Sequence, residues 1–125
     1  MKHIIVSFFI ILICSAQLYS QFGSQDSGGP LTSEWAAYDV KFYNINLNIN
    51  PDKQTINGWV GVTVESVTNM KELVLDLDDR YRITKIVWDS PTESEELHFK
   101  HEKGKIKIQL PEEVAKGKSF TVKIY

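Results

Sequence analysis

Two histidines, His98 and His101, are the first residues of this 125-residue chain to consider as metal ligands. Their spacing argues against one shared ion, because side chains three positions apart on a strand point to opposite faces. His101 and Glu102 also begin like the H-E-x-x-H motif, but Lys105 stands where the second histidine is required. Gly104 disfavours the helix that this motif needs. We therefore predict no metal site in this chain and a place near a turn for His101.

An acidic cluster follows a leucine-rich segment and resembles a fragment of a calcium-binding loop. It consists of Asp76, Asp78 and Asp79. Calcium loops need several oxygen ligands at regular spacing, together with a glycine and a terminal glutamate. Here Arg80 follows at once and no glutamate is suitably placed. The better interpretation is that these carboxylates lie in water at a strand end and accept hydrogen bonds from a turn.

The aromatic residues allow two interpretations. They could form a flat platform for carbohydrate, or they could fill a small β core and a domain interface. We favour core and interface packing and keep a glycan-binding surface as the alternative. The residues concerned are Trp35, Trp59, Trp88, Tyr38, Tyr43 and Tyr81.

Composition excludes several function classes. The formal net charge is −2, with 14 basic and 16 acidic side chains, which argues against a nucleic-acid footprint and a polybasic membrane patch. Beyond residue 20 the chain has His98 and His101 but no cysteine, so no Cys–His or Ser–His–Asp arrangement is available. No glycine-rich phosphate loop precedes a helix. We predict no catalytic and no cofactor-binding residue in this chain.

The first 20 residues have the pattern of a secretory signal peptide. Lys2 and His3 give a basic start, residues 4–13 are apolar apart from one serine, and a more polar exit follows. The apolar run is too short to span a bilayer, so it predicts a cleaved signal and not a membrane anchor. A lipoprotein signal at Cys14 is disfavoured because Ile13 is not small. Export to the periplasm, the cell surface or the medium is expected.

The remainder divides into a linker and one folded domain. Residues 21–33 are rich in Gly and Ser and predict a flexible linker, and residues 34–125 predict a single domain. Alternation with a period of two dominates, so we expect about seven antiparallel strands in an all-β sandwich or saddle. One short helical turn is expected at residues 112–115. The strands are predicted at 44–50, 56–64, 73–77, 82–88, 97–101, 106–110 and 120–124.

Three details of these strands lead to testable expectations. Asparagines alternate with aliphatic residues over 44–50, which predicts a half-buried strand with its amide face in water. Gly58 and Gly61 suggest a bulge or a close backbone approach, and Gly104 suggests a tight hairpin turn. Tyr125 ends the chain within an apparent strand. A domain incomplete at its C-terminus, with an unpaired final strand, is therefore expected.

A pattern of strand residues runs through the first half of the domain. Its elements are Tyr38-Asp39-Val40-Lys41-Phe42-Tyr43, then Leu47 and Ile49, the Pro51-Asp52 turn, Gly58 with Val60, Val62 and Val64, and Glu72-Leu73-Val74-Leu75-Asp76-Leu77. This pattern resembles the opening of the N-terminal domain of aminopeptidase N-like zinc metallopeptidases. The resemblance extends over about residues 35–125.

The resemblance implies a β-domain packed on a thermolysin-like catalytic domain of the same polypeptide. That domain would carry a G-x-M-E-N segment for the amino terminus of a peptide substrate, and a zinc-binding H-E-x-x-H. Neither segment occurs here, so no catalytic residue is transferred to this chain, and zinc would belong to the full-length parent. Two alternatives stay open: a secreted β-sandwich that binds glycans or a protein partner, and a relative that lost catalysis and serves as a scaffold.

Overall fold

The computed structural model describes residues 30–90 and 94–125. The predicted signal peptide and residues 21–29 of the predicted linker lie outside the described residues. Within them, a single turn of 3₁₀-helix at Trp35–Ala37 precedes eight strands. These are β1 (Tyr38–Asn50), β2 (Thr55–Ser66), β3 (Met70–Asp76), β4 (Ile86–Asp89), β5 (Ser94–Glu96), β6 (Phe99–Glu102), β7 (Lys105–Val114) and β8 (Ser119–Ile124).

The strands form two antiparallel sheets. One has five strands in the order β1-β2-β8-β4-β5, and the other has three in the order β3-β7-β6. This confirms the prediction of an all-β antiparallel sandwich. Three consecutive pairs of the described strands, β1–β2, β4–β5 and β6–β7, are also neighbours in a sheet, and the other connections cross between the two sheets.

The core lies between the two sheets and consists of aliphatic side chains at alternate positions. β2 and β8 contribute the directly opposed Val62 and Val122, and the three-stranded sheet contributes Ile108. All three side chains are at most 2% exposed. Trp88 stacks on Phe120 with ring centroids 4.8 Å apart and closes one side of the core. Period-two alternation therefore produced the sandwich, because each strand has one face to bury.

Two hairpin turns connect strands that pair within a sheet. In the β1–β2 turn, the Asn50 side-chain oxygen accepts a hydrogen bond from the Lys53 amide at 2.9 Å. In the β6–β7 turn, Lys103 and Gly104 both have positive φ, 54° and 72°. Positive φ at both central residues matches the twist of an antiparallel pair. The predicted hairpin at Gly104 is confirmed.

The predicted helical turn at residues 112–115 is wrong, because β7 continues as a strand to Val114. Val114 is buried and pairs with Met70. The register shifts between Met70 and Glu72, where the longer β7 passes a shorter stretch of β3. An irregularity of this kind tolerates Pro111 within a strand, so core packing of Val114 prevailed over the local signal.

The strand predicted at 82–88 begins later in the chain and is shorter in the structure. Only Ile86–Asp89 forms β4, and residues 82–85 have no strand pairing. A further strand, β5, lies outside the predicted strands and pairs with β4 through Trp88 and Glu95. This short edge strand has three exposed residues, so it lacks the apolar alternation that identifies strands in a sequence.

The expectation of an unpaired final strand is also wrong. β8 lies between β2 and β4, with Val122 opposite Val62 on one side and opposite Trp88 on the other. The backbone of Tyr125 exchanges hydrogen bonds with Lys85 and Thr84 at 3.0 and 2.7 Å. β8 is therefore a central strand, and the long open edge of this sheet is β1.

The largest departure concerns the strand predicted as half-buried. Ile45, Leu47 and Ile49 are 61%, 46% and 63% exposed, although they face the same side of the sheet as the core. The opposing three-stranded sheet does not bury these side chains, and β8 pairs only with Val60 to Glu65 of β2. The distal part of the β1–β2 hairpin extends beyond that support and beyond the three-stranded sheet.

Candidate functional site

The two histidines lie in different environments. His101 Nε2 is 3.0 Å from the carbonyl oxygen of Leu77 and 3.7 Å from Asp79 Oδ1, at a turn as predicted. His98 is exposed and lines a charged concavity on the outer face of the three-stranded sheet. Within residues 30–90 and 94–125, no group of three His, Cys, Asp or Glu side chains could hold a metal ion. His101 is best described as a structural residue.

The acidic cluster bonds to turns. Asp78 accepts two hydrogen bonds from the Arg80 guanidinium, at 2.9 and 3.0 Å, and one from the Arg80 amide. These bonds hold the pKa of Asp78 below its ordinary value. Asp79 Oδ1 accepts a hydrogen bond from the Gly104 amide at 2.9 Å, which joins this turn to the β6–β7 hairpin. The prediction of turn bonding is confirmed for Asp78 and Asp79.

The three tryptophans do not form one platform. Trp88 stacks on Phe120 within the sandwich. Trp59 lies on the opposite face of the same sheet, paired with Asn46 in register, with its ring 5.0 Å from Lys123 Nζ. Trp35 belongs to the 3₁₀ turn, and Lys105 Nζ lies 4.8 Å from its ring. Their separate positions disfavour a carbohydrate site built from all three.

A small apolar groove opens between the two sheets. Its volume is about 250 Å³, and its walls come from both sheets, including Tyr43 and Val60 on one side and Leu75 on the other. Asp76 is the one carboxylate among the residues that line it. The groove lies where the three-stranded sheet ends and the β1–β2 hairpin continues. A large apolar side chain from a second molecule or domain is the kind of group that would fill it.

An apolar surface continues from this groove along the hairpin. We call it the hairpin stripe and define it as Tyr43, Ile45, Leu47, Ile49 and Ile56, all 46–63% exposed. In register, Ile45 opposes Val60 and Ile49 opposes Ile56, so the stripe continues the core-facing side of the sheet. A contiguous apolar patch of this kind is typical of an interaction surface.

The sequence prediction missed this surface because it treated alternation as evidence of burial. One signal for it is present in the sequence: residues 42–50 contain no charged side chain. On a strand exposed at both faces, that absence is unusual and is typical of a segment that contacts other protein.

The opposite face of the hairpin is lined by asparagines and aromatic rings. Asn44, Asn46 and Asn48 are exposed along it, and Phe42 and Trp59 lie on the same side, opposite Thr63 and Asn46. Amides with neighbouring aromatic rings can bind neutral polar ligands.

The part of the chain that the structure describes contains no helix long and apolar enough to cross a membrane. In comparisons of sequence, no protein-family model and no curated protein matches the chain.

Comparison with solved structures finds M1 zinc metallopeptidases. The chain is similar to the enzyme from Deinococcus radiodurans, with a TM-score of 0.54 and 19% identity over 70% of this chain and 20% of that chain. A mutant from the same organism, bound to a Tyr-Ser-Ala substrate, gives the same values. A two-domain M1 zinc metallopeptidase mutant bound to L-tryptophan also has a TM-score of 0.54 and 19% identity, with 19% of that chain covered. The chain thus spans about a fifth of the length of these proteins, and the similarity establishes a shared fold.

Proposed function

We propose that this chain is the non-catalytic N-terminal β-domain of an exported zinc metallopeptidase of the M1 type, an enzyme that removes N-terminal residues from peptides. The observation that carries the proposal is the fold similarity, which covers 70% of this chain and a fifth of the neighbours' length. The resemblance of its strand residues to the N-terminal domain of such enzymes points the same way. Residues 1–20 would be its signal peptide, residues 21–33 a linker and residues 34–125 the domain.

The domain would act by packing, since we expect its own residues to supply no chemistry for peptide hydrolysis. The hairpin stripe and the groove beside Tyr43 and Leu77 offer an apolar face to a catalytic domain. Burying half-exposed aliphatic side chains is favourable by roughly 25 cal/mol per Å² of apolar area. A domain fixed in this way would narrow access to the active site, so that chain ends enter and folded proteins do not.

Zinc would be bound by the catalytic domain and not by this chain. Such domains hold the ion with H-E-x-x-H and a further glutamate, and the ion activates the attacking water. The only sequence here that begins like that motif is His101-Glu102, and it lies in a hairpin, where His101 bonds to Leu77.

Sequencing the coding DNA beyond Tyr125 tests the proposal directly. We expect G-x-M-E-N and then H-E-x-x-H in frame, or after one repairable frameshift. A genuine stop codon with no such segments downstream would refute the assignment to a metallopeptidase.

A kinetic assay tests the non-catalytic role separately. The purified chain should release no p-nitroaniline from aminoacyl p-nitroanilides, with or without added zinc. Release that is sensitive to a chelator would show catalysis within this chain and overturn that role.

A second candidate function is glycan binding by a secreted β-sandwich. The observation that favours it is the polar face of the hairpin, where Asn44, Asn46 and Asn48 lie beside Trp59. Titration with soluble oligosaccharides should then quench the fluorescence of Trp59, and Trp59→Phe should remove the response. If no oligosaccharide changes the fluorescence, this candidate fails.

A further inference from the structure

The four sheet edges described by the structure differ in their protection against pairing with another chain. β5 has only three residues, two of them glutamates, and β6 has four, including Lys100 and Glu102. β3 is interrupted by a register shift and carries Lys71 and Glu72. Short length, charge and irregularity are the usual means by which edge strands avoid intermolecular pairing.

The fourth edge, β1, has this protection in its first part only. Lys41 forms ion pairs with Asp39 at 2.8 Å and Glu65 at 3.4 Å, and the register shifts between Val40 and Phe42. Residues 42–50 then run for nine positions without charge, proline or irregularity. They are hydrogen-bonded to β2 on one side, and in the described structure no strand pairs with the other.

We propose that residues 42–50, the distal edge of β1, are a dimerisation edge that pairs antiparallel with the same strand of a second copy of this chain. The two five-stranded sheets would then join into one continuous ten-stranded sheet. Strand addition of this kind supplies main-chain hydrogen bonds to an otherwise open ladder. The interface is isologous, because the same residues contribute from both copies.

The alternation of the strand makes it complementary to itself. When one strand edge pairs with its own copy, opposed residues are separated by an even number of positions, since their backbone groups must point the same way. Asparagine therefore opposes asparagine and aliphatic opposes aliphatic. In the register centred on Leu47, Ile45 opposes the second copy's Ile49, and Asn46 opposes its Asn48. No like charges meet over residues 44–50.

A second copy fits this edge better than a charged or irregular partner strand would. Over residues 44–50 the segment has only neutral amides and aliphatic side chains. In this register each residue opposes a residue of the same chemical class on the same face of the sheet. Pairing also joins the hairpin stripes of the two copies into one apolar surface. This inference does not rest on the proposed function, because it concerns the strand edge and not the face offered to a catalytic domain.

Sedimentation velocity of the full chain between about 1 and 100 µM tests the proposal, since a dissociation constant in this range is directly measurable. We expect a monomer–dimer equilibrium. Leu47→Lys places a charge at the centre of the edge and should weaken dimerisation at least about tenfold. Ile56→Lys is the matched control, because Ile56 lies on the same apolar face with similar exposure but on β2, away from the edge. It should change the dissociation constant less than about threefold.

Cysteine cross-linking gives a second readout that does not depend on dimer stability. In a Cys14→Ser background, Leu47→Cys should form an intermolecular disulfide under mild oxidation. Directly opposed Cβ atoms lie about 4.5–5.5 Å apart, and a shift of about 1 Å brings them to the roughly 3.5–4.5 Å of a disulfide. Ile56→Cys should form no intermolecular disulfide under the same conditions, because Ile56 lies away from the edge.

Three results would overturn the inference. The first is a monomer at every concentration without a Leu47→Cys cross-link. The second is equal loss of dimer in the two lysine variants, which would show face-to-face packing. The third is a dimer that disappears when the chain begins at Gln21, which would show association through the leader. Each result leaves the metallopeptidase proposal untouched, because that depends on the coding sequence beyond Tyr125.

Discussion

The hydroxyl of Tyr38 donates a hydrogen bond to the carbonyl oxygen of Val74 across 2.7 Å, which joins β1 of the five-stranded sheet to β3 of the three-stranded sheet. Burial of the phenol, with smaller contributions from Asp76 and Tyr43, raises the pKa of Tyr38 to about 12. The neutral phenol is therefore the form that the folded state stabilises.

The first prediction concerns alkaline pH. Because the pKa of Tyr38 is higher in the folded state than its ordinary value of 10.0, the folded state binds more protons between those values. This contribution to stability is complete below about pH 10 and is lost as the pH rises towards about 12. Urea unfolding at pH 9 and pH 11 should show a loss of stability on raising the pH.

Tyr38→Phe is the control for this pH effect. It removes the ionisable group and the hydrogen bond to Val74, which costs about 1 kcal/mol at pH 9. The drop in stability between pH 9 and pH 11 should be smaller in this variant than in the unmodified chain. An equal drop in both proteins would contradict the prediction and assign the effect to other groups.

The second prediction concerns Gly58, whose φ is 146° and whose added Cβ would overlap the carbonyl oxygen of Asn46. Gly58→Ala should therefore disrupt the β1–β2 hairpin at a cost of about 1–3 kcal/mol. Hydrogen exchange of the hairpin amides and urea unfolding would measure the loss.

Gly61→Ala is the matched control on the same strand. An added Cβ there would meet Asn44 Cβ at 3.5 Å, an ordinary contact. Its effect should be within about 0.5 kcal/mol. If the hairpin amides exchange as slowly in the Gly58→Ala variant as in the Gly61→Ala variant, the close approach to Asn46 is not a constraint in solution.

The third prediction compares two isoleucines that look alike in the sequence. Ile108 is 0% exposed and Ile45 is 61% exposed, though both occupy alternating strand positions. Ile108→Ala should destabilise the fold by about 2–5 kcal/mol, because it opens a cavity in the core. Ile45→Ala should cost less than about 0.5 kcal/mol.

Chemical denaturation measures both variants at one fixed protein concentration. That concentration is kept low so that dimerisation does not contribute to the measured stability. Similar losses from Ile45→Ala and Ile108→Ala would show that Ile45 is covered in solution by protein contacts that the structure does not contain.

The fourth prediction concerns zinc. A metal that binds only the folded state raises its stability, and the rise grows with metal concentration. With His101 bonded to Leu77 and no cluster of three His, Cys, Asp or Glu side chains in the described residues that could hold a metal ion, neither zinc nor a chelator should move the thermal midpoint by more than about 1 °C. A larger zinc-dependent rise that His101→Ala abolishes would reveal a site.

Much of the fold followed from the sequence. Alternating apolar residues identified most strands, and Gly104 identified a tight hairpin because a positive φ is easiest for glycine. The cluster of Asp78 and Asp79 was recognised as turn chemistry. The resemblance to aminopeptidase N-like enzymes led to the same fold as the solved M1 structures, at a TM-score of 0.54.

Local pattern could not decide what each strand faces. Ile45, Leu47 and Ile49 alternate as regularly as Val60, Val62 and Val64, yet the first set is exposed and the second is largely covered. Alternation determines which residues share a face, because side chains on a strand point to opposite sides in turn. Whether that face is buried depends on which strands lie across from it.

The sequence by itself thus determined the all-β class, most of the strands and the absence of charge along residues 42–50. Tertiary structure decided that β8 is central, that β7 extends to Val114, and that β1 forms the open edge. The physical reason is that strand order and sheet overlap arise from contacts between residues distant in sequence, such as Val62 with Val122 and Met70 with Val114. No local period of hydrophobicity encodes those contacts.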